Sequence, residues 1–160
     1  MTSPKLTPFS PGDVIEVETP SGLAYLQITH DAPPYPQVVR VLDGLHAHRP
    51  DDVAGLTPSP TAFVGLIPLA EILHRGLITG RLVAQATVPA EARAFPMFRT
   101  PILDRSGAVV YWWLWDGTGL HWCDTSDPAI TDRPVREVIG AQDLLARLSA
   151  LAAHGQSTKG

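Results

Sequence analysis

Apolar and polar residues alternate over much of this chain, in short runs punctuated by glycine and proline. Residues 13–18 (DVIEVE) put Ile15 and Val17 on one face. After Thr19-Pro20-Ser21-Gly22, residues 23–30 set Ala24, Leu26 and Ile28 against Leu23, Tyr25 and Gln27. A period of two on both sides of a glycine turn predicts an antiparallel hairpin. DAPPYP (31–36) is expected to be a loop, since proline donates no ladder hydrogen bond and biases the residue before it to extended geometry. QVVRVL (37–42) predicts a third strand, and the polar connection DGLHAHRPDD (43–52) follows. Residues 53–60 show no period and read as loop.

Further on, residues 62–67 predict a buried strand, and a short helix is expected to start at Pro68. Leu69, Ile72 and Leu73 form its apolar face, Glu71 and Arg75 stand four apart, and Gly76 suits its C-terminal cap. Residues 81–88 place Leu82, Ala84, Ala86 and Val88 opposite Arg81, Gln85 and Thr87, the pattern of a half-buried strand. PAEARAF suggests a helical turn. A second hairpin is expected from 97–103 and 108–115 around Asp104-Arg105-Ser106-Gly107, with Pro101 marking an edge or a bulge. A short strand over 120–123 follows Asp116-Gly117-Thr118-Gly119, and VREVIG reads as a last extended piece. Ala141, Leu144, Leu145, Leu148, Leu151 and Ala152 recur at helical spacing, so a C-terminal amphipathic helix is expected to end near His154-Gly155. The tail from Gln156 is expected to fray.

Strands do not alternate with helices along this order, which argues against a doubly wound parallel sheet. The expected fold class is α+β: a strongly bent antiparallel sheet or partly open barrel, with a short middle helix and the C-terminal helix packed on it. A chain of 160 residues fits a single domain, with its ordered core expected over about 11–154.

The second hairpin contains YWWLWDGTGLHW (111–122), which holds all 4 tryptophans. Alternation separates Tyr111, Trp113 and Trp115 from Trp112 and Leu114, so both faces of this strand carry large apolar groups. Two readings stay open. Either the strand is sandwiched between the barrel and the helix, or one face is left for a ligand or partner, because a large exposed aromatic patch is unusual on a monomer. Trp122, beyond the glycine-rich turn, is the tryptophan expected to be exposed.

Composition narrows the function classes. A formal net charge of -4, with 12 scattered Lys and Arg, argues against nonspecific nucleic-acid binding. One cysteine, Cys123, excludes an intramolecular disulfide and favours a cytoplasmic protein. The first residues have no apolar run and are not expected to act as a secretory signal. The uncharged stretch 53–70 is broken by Pro58, Pro60 and Pro68, so no membrane span is expected.

Candidate chemistry is thin. His46 and His48 are half of a zinc site at most, without the further ligands that a metal needs. His121 and Cys123 share a face of an extended strand and could be imagined as a base and a thiolate, but a lone cysteine among tryptophans is more often a small buried hydrophobe. The carboxylates are not paired by spacing, and no Walker A, G-x-G-x-x-G, G-x-S-x-G or H-E-x-x-H motif is present. No cofactor and no metal are expected.

The opening hairpin, PGDVIEVETPSGLAYLQITH, resembles the start of the immunity protein 26 family of bacterial polymorphic toxin systems. Gly12, Asp13, Val14, Gly22, Ala24 and Tyr25 carry the likeness, and the later DGTGLHW is similar to a late feature of that group. The resemblance covers a minor part of the chain. It implies a cytoplasmic protein that binds and blocks a cognate toxin without catalysis of its own. An acidic balance suits a basic toxin, because complementary potentials speed association.

The leading expectation is a noncatalytic protein-binding domain with Tyr35, Trp115 and Trp122 as anchors and Asp51, Asp52 and Asp124 as a charged rim. The alternative is a small-molecule-binding barrel whose pocket is lined by Tyr111, Trp113 and Trp115. An enzyme using His121 and Cys123 comes third.

Overall fold

The computed structural model describes residues 8–153. Five strands, β1 (Asp13–Thr19), β2 (Gly22–Ala32), β3 (Tyr35–Leu42), β4 (Thr61–Leu66) and β5 (Gly80–Gln85), form one antiparallel sheet in the order β4-β3-β2-β1-β5. A second antiparallel sheet contains β6 (Phe98–Leu103), β7 (Val109–Trp115) and β8 (Leu120–Cys123) in that order. Two helices, α1 (Leu69–His74) and α2 (Ala141–Ser149), complete an open α+β fold.

The first hairpin has the register its alternation demands. Ile15 stands opposite Leu26 and Val17 opposite Ala24, so their side chains share one face. That face and β3's Val39 and Val41 form the main core, closed by Leu69 and Ile72 of α1 and by Leu144 and Leu148 of α2. The other face of the sheet is buried as well. There the connection between β3 and β4 covers Val14, Tyr25 and Leu42, with Val53 packed among them.

Polar groups on this second face are tied down. Glu16 accepts hydrogen bonds from the Tyr25 hydroxyl at 2.9 Å and from Arg49 Nε and Nη2 at 2.7 and 3.0 Å. Arg40, fully buried, donates to Gln27 Oε1 at 3.0 Å, to Thr61 Oγ1 at 2.9 Å and to the Thr57 carbonyl. Burial pushes its pKa down, and among the described residues no carboxylate lies within ion-pair distance of it.

Several expectations are corrected. The expected loop at 31–36 shrinks to a tight turn at Pro33-Pro34, whose bond is cis. β2 runs on to Ala32 and β3 begins at Tyr35, the two residues standing opposite one another. Pro36 fits because it sits near the start of a strand, where a missing donor is tolerated. The strand expected over 81–88 leaves the sheet after Gln85, and Leu82 is exposed. β5 is an edge strand paired only with β1, so alternation there does not guarantee a covering layer. The C-terminal helix stops at Ser149. Its expected continuation instead turns back, the Leu45 amide donating to the Ala152 carbonyl at 2.8 Å beside a bridge from Leu45 to Ala153.

The extended piece expected after Pro134 has a structural task. The Arg99 amide donates to the Pro134 carbonyl and the Arg136 amide to the Arg99 carbonyl, both at 2.8 Å; the Ile139 amide donates to Leu66 at 3.0 Å. Residues 134–139 are therefore a strap that stitches the edge of β6 to the edge of β4. The expected frayed tail and the helix end at His154-Gly155 lie outside the described residues. No helix among the described residues is long and apolar enough to cross a membrane.

Candidate functional site

The three-stranded sheet has two unlike faces. Register puts Trp112 opposite Cys123 and Leu114 opposite His121. On that back face Leu114, Cys123 and Ile130 are buried together with Met97 and Trp112 packed on them, beneath the segment that follows β8. On the front face Trp113 stands between Thr100 of β6 and Trp122 of β8, Tyr111 faces Ile102, and Trp115 stands between Phe98 and Leu120.

The front face grades from closed to open. Phe98 is fully buried and Trp115 is 8% exposed, in a cluster with Ala32, Val38 and Leu66. Rings of Tyr35, Phe95 and Phe98 surround Trp115 at centroid distances of 4.8, 5.2 and 5.8 Å. The Arg136 guanidinium lies 4.6 Å from the Trp115 ring centre and 4.8 Å from that of Tyr35, and it donates to the Tyr35 hydroxyl. Toward β8 this covering ends. Trp122 is 61% exposed and Leu120 51% exposed, while Tyr111 and Trp113 are half-buried, edge to face at 5.9 Å.

Two aspartate turns hold the sheet in shape. Asp104 accepts from the Ser106 amide and hydroxyl and from the Ala108 amide, at 2.8, 2.6 and 3.1 Å. Asp116 accepts from the Thr118 and Gly119 amides at 2.9 and 2.8 Å, and its other oxygen meets His121 Nε2 at 2.7 Å. These bonds, His121 first, hold the Asp116 carboxyl far below the usual carboxylate range. Gly117 has φ +95°, and a Cβ there would stand 3.1 Å from the Phe95 ring, so glycine is required twice over.

The structure brings some of the sequence candidates together and separates others. Tyr35 and Trp115 touch, and Trp122 lies on the same side of the sheet. Trp115 is spent on internal packing, and Tyr35, 37% exposed, is its lid. Asp124 directly follows β8. Asp51 and Asp52 belong to the connection over the five-stranded sheet, where Asp52 accepts from the Gly55 amide at 3.1 Å. Tyr111, Trp113 and Trp115 do share a face, but that face is open sheet surface at one end and covered core at the other.

His121 and Cys123 do not form a dyad. His121 is engaged by Asp116, whereas the Cys123 thiol is buried, approaches the Asp124 carbonyl and Asp127 Oδ2 at 3.5 Å, and has its pKa pushed up by burial and then by Asp127. A thiol in that setting is a poor nucleophile. His46 packs edge to face on Tyr25 at 5.3 Å. Among the described residues no group of three or more His, Cys, Asp or Glu could hold a metal ion.

Sequence reasoning missed Arg136, Phe95 and Thr100. Arg136 had no local signal, because its partners, Tyr35 on β3 and Trp115 on β7, lie on other elements, the first of them 101 residues away. Thr100 was legible only through the register of Pro101 against Trp112. Comparison with family models, curated proteins and solved structures returns no match.

Proposed function

We propose that this chain is a noncatalytic protein-binding domain whose contact surface is the open front face of the three-stranded sheet. One observation carries the reading: Trp122 and Leu120 are exposed beside Trp113 and Tyr111 on a rigid, register-locked sheet. Tryptophan and tyrosine combine large apolar area with a polar handle and few rotatable bonds, so they dominate the energetics of protein interfaces. Trp122 is the central anchor, Tyr111, Trp113 and Leu120 flank it, and Tyr35 stands at the closed end.

Charge supports a basic partner. The formal net charge is -4, and Asp124 directly follows β8 at the outer edge of the face. Such a balance attracts a cationic surface and rejects an acidic one. Asp51 and Asp52 contribute only to the overall field in this reading. Together with the resemblance of the opening hairpin, this favours an immunity protein that neutralises a cognate bacterial toxin.

The test is genetic and then physical. Proteins encoded beside this chain's gene are expressed singly in a bacterial host, with and without this chain. Rescue of growth from one of them is expected, with rescue lost in a folded Trp122→Ala variant whose affinity falls by about 2 kcal/mol. Rescue that survives Trp122→Ala at unchanged affinity removes this face from the account; toxicity without rescue removes the immunity role.

A further inference from the structure

Where the two sheets part, a cleft of about 500 Å³ opens behind the strap, on the back side of the three-stranded sheet. The edge of β4 at Thr61, Ala62, Phe63 and Val64 lines one side, and Arg99, Asp132, Arg133 and Glu137 line the other, with Arg147 reaching in from α2. Three arginines around one cavity are unexpected in a chain of formal net charge -4.

Their circumstances differ. Arg147 is neutralised: its Nη2 meets Glu137 at 2.9 Å and Asp143 at 3.0 Å, and its guanidinium lies 5.6 Å over the Phe63 ring centre. Arg99 and Arg133 make no ion pair among the described residues. The Arg99 guanidinium rests 4.8 Å over the Trp112 ring centre, and its Nε is buried without any acceptor. A buried donor without a partner is uncommon, and on a cation it is costlier still. Asp132 lines the same cleft yet bonds neither arginine.

We propose that this cleft binds a small oxyanionic ligand, a carboxylate or phosphate compound, through Arg99 and Arg133. Two guanidinium forks free of carboxylates match the planar, two-oxygen geometry of such groups. The volume is that of a small-molecule site, and Phe63 and Val64 supply an apolar wall for the rest of the ligand. Arg147, fixed by its own acids, shapes that wall. Arg99 stands opposite Leu114, on the face away from Trp113 and Trp122, so ligand and protein partner occupy different sides and this site does not depend on the protein-binding reading.

Isothermal titration of the full chain with inorganic phosphate and with succinate, at constant ionic strength set by chloride, tests the site. At least one anion is expected to bind saturably with one-to-one stoichiometry. Arg133→Gln and Arg99→Gln are each expected to weaken it roughly tenfold or more, Asp132→Asn to strengthen it, and Trp122→Ala to leave it unchanged. Preference for phosphate identifies a phosphate ester as the ligand class, and preference for succinate an organic acid. Should Arg99→Gln fail to fold, Arg133→Gln and Asp132→Asn decide. No saturable binding of either anion, or binding by Arg133→Gln equal to that of the unaltered chain, overturns the proposal.

Discussion

Two tryptophans on one sheet face have opposite duties. Trp115 is walled in by Tyr35, Phe95, Phe98 and Arg136, so Trp115→Ala leaves a cavity and is expected to destabilise the fold by about 3–5 kcal/mol in chemical denaturation. Trp122 is mostly in water, and Trp122→Ala is expected to change stability by less than about 1 kcal/mol. Alternation told which tryptophans share a face, and the glycine turn before Trp122 marked it as the exposed one. What covers Trp115 was not legible, because Tyr35 and Arg136 arrive from remote parts of the chain. Glu16 teaches the same lesson. Its run of apolar neighbours hid a buried carboxylate, whose pKa lies below the ordinary 4.5 because Arg49, and beyond it the Tyr25 hydroxyl, donate to it against the opposing effect of burial. A carboxyl with a depressed folded-state pKa stabilises the fold above its unfolded pKa, and that contribution fades as pH falls through the folded value. Glu16→Gln is therefore expected to cost about 2 kcal/mol at neutral pH. The gap between the two proteins should narrow in thermal melts taken progressively below pH 4.5; a gap constant with pH would mean that Glu16 is not ionised in the fold.

Among the elements, the strap at 134–139 governs how the sheets are joined. It bonds to β6 through Arg99 and to β4 through Leu66, and its Ile139 side chain enters the main core. Ile139 can do so because Gly65 has no side chain: a Cβ there would stand 2.4 Å from Ile139 Cδ1. Gly65→Ala is expected to destabilise by about 1–3 kcal/mol, and adding Ile139→Val, which removes that methyl, should restore part of the loss in a double-mutant cycle. Strictly additive effects would show that the strap does not seat against β4 at this point. Both hairpins and α1 were legible since their signals are local: period two, a glycine turn, a proline at a helix start. The proline-rich turn at Pro33-Pro34 and the end of α2 were not, because Ala32 pairs with Tyr35 and Leu45 captures Ala152, contacts that override local composition.

At the scale of the whole molecule, the five-stranded sheet carries core on both faces, while the front of the three-stranded sheet is covered only at its Phe98 and Trp115 end. The sequence indicated a bent antiparallel α+β fold and pointed at the tryptophan hairpin; it could not divide that hairpin into a packed half and an open half, since both halves are equally apolar and the division depends on which remote segments reach it. In the proposed reading, a net charge of -4 favours a cationic partner whose association slows as salt rises. Acrylamide quenching of tryptophan fluorescence, in the free protein and with the partner identified by growth rescue, decides whether Trp122 is a binding anchor. The free protein is expected to show a strongly quenched component that is missing from Trp122→Phe and becomes protected when the partner binds. Emission that is protected from the start, or quenching that bound partner leaves untouched, would contradict that role.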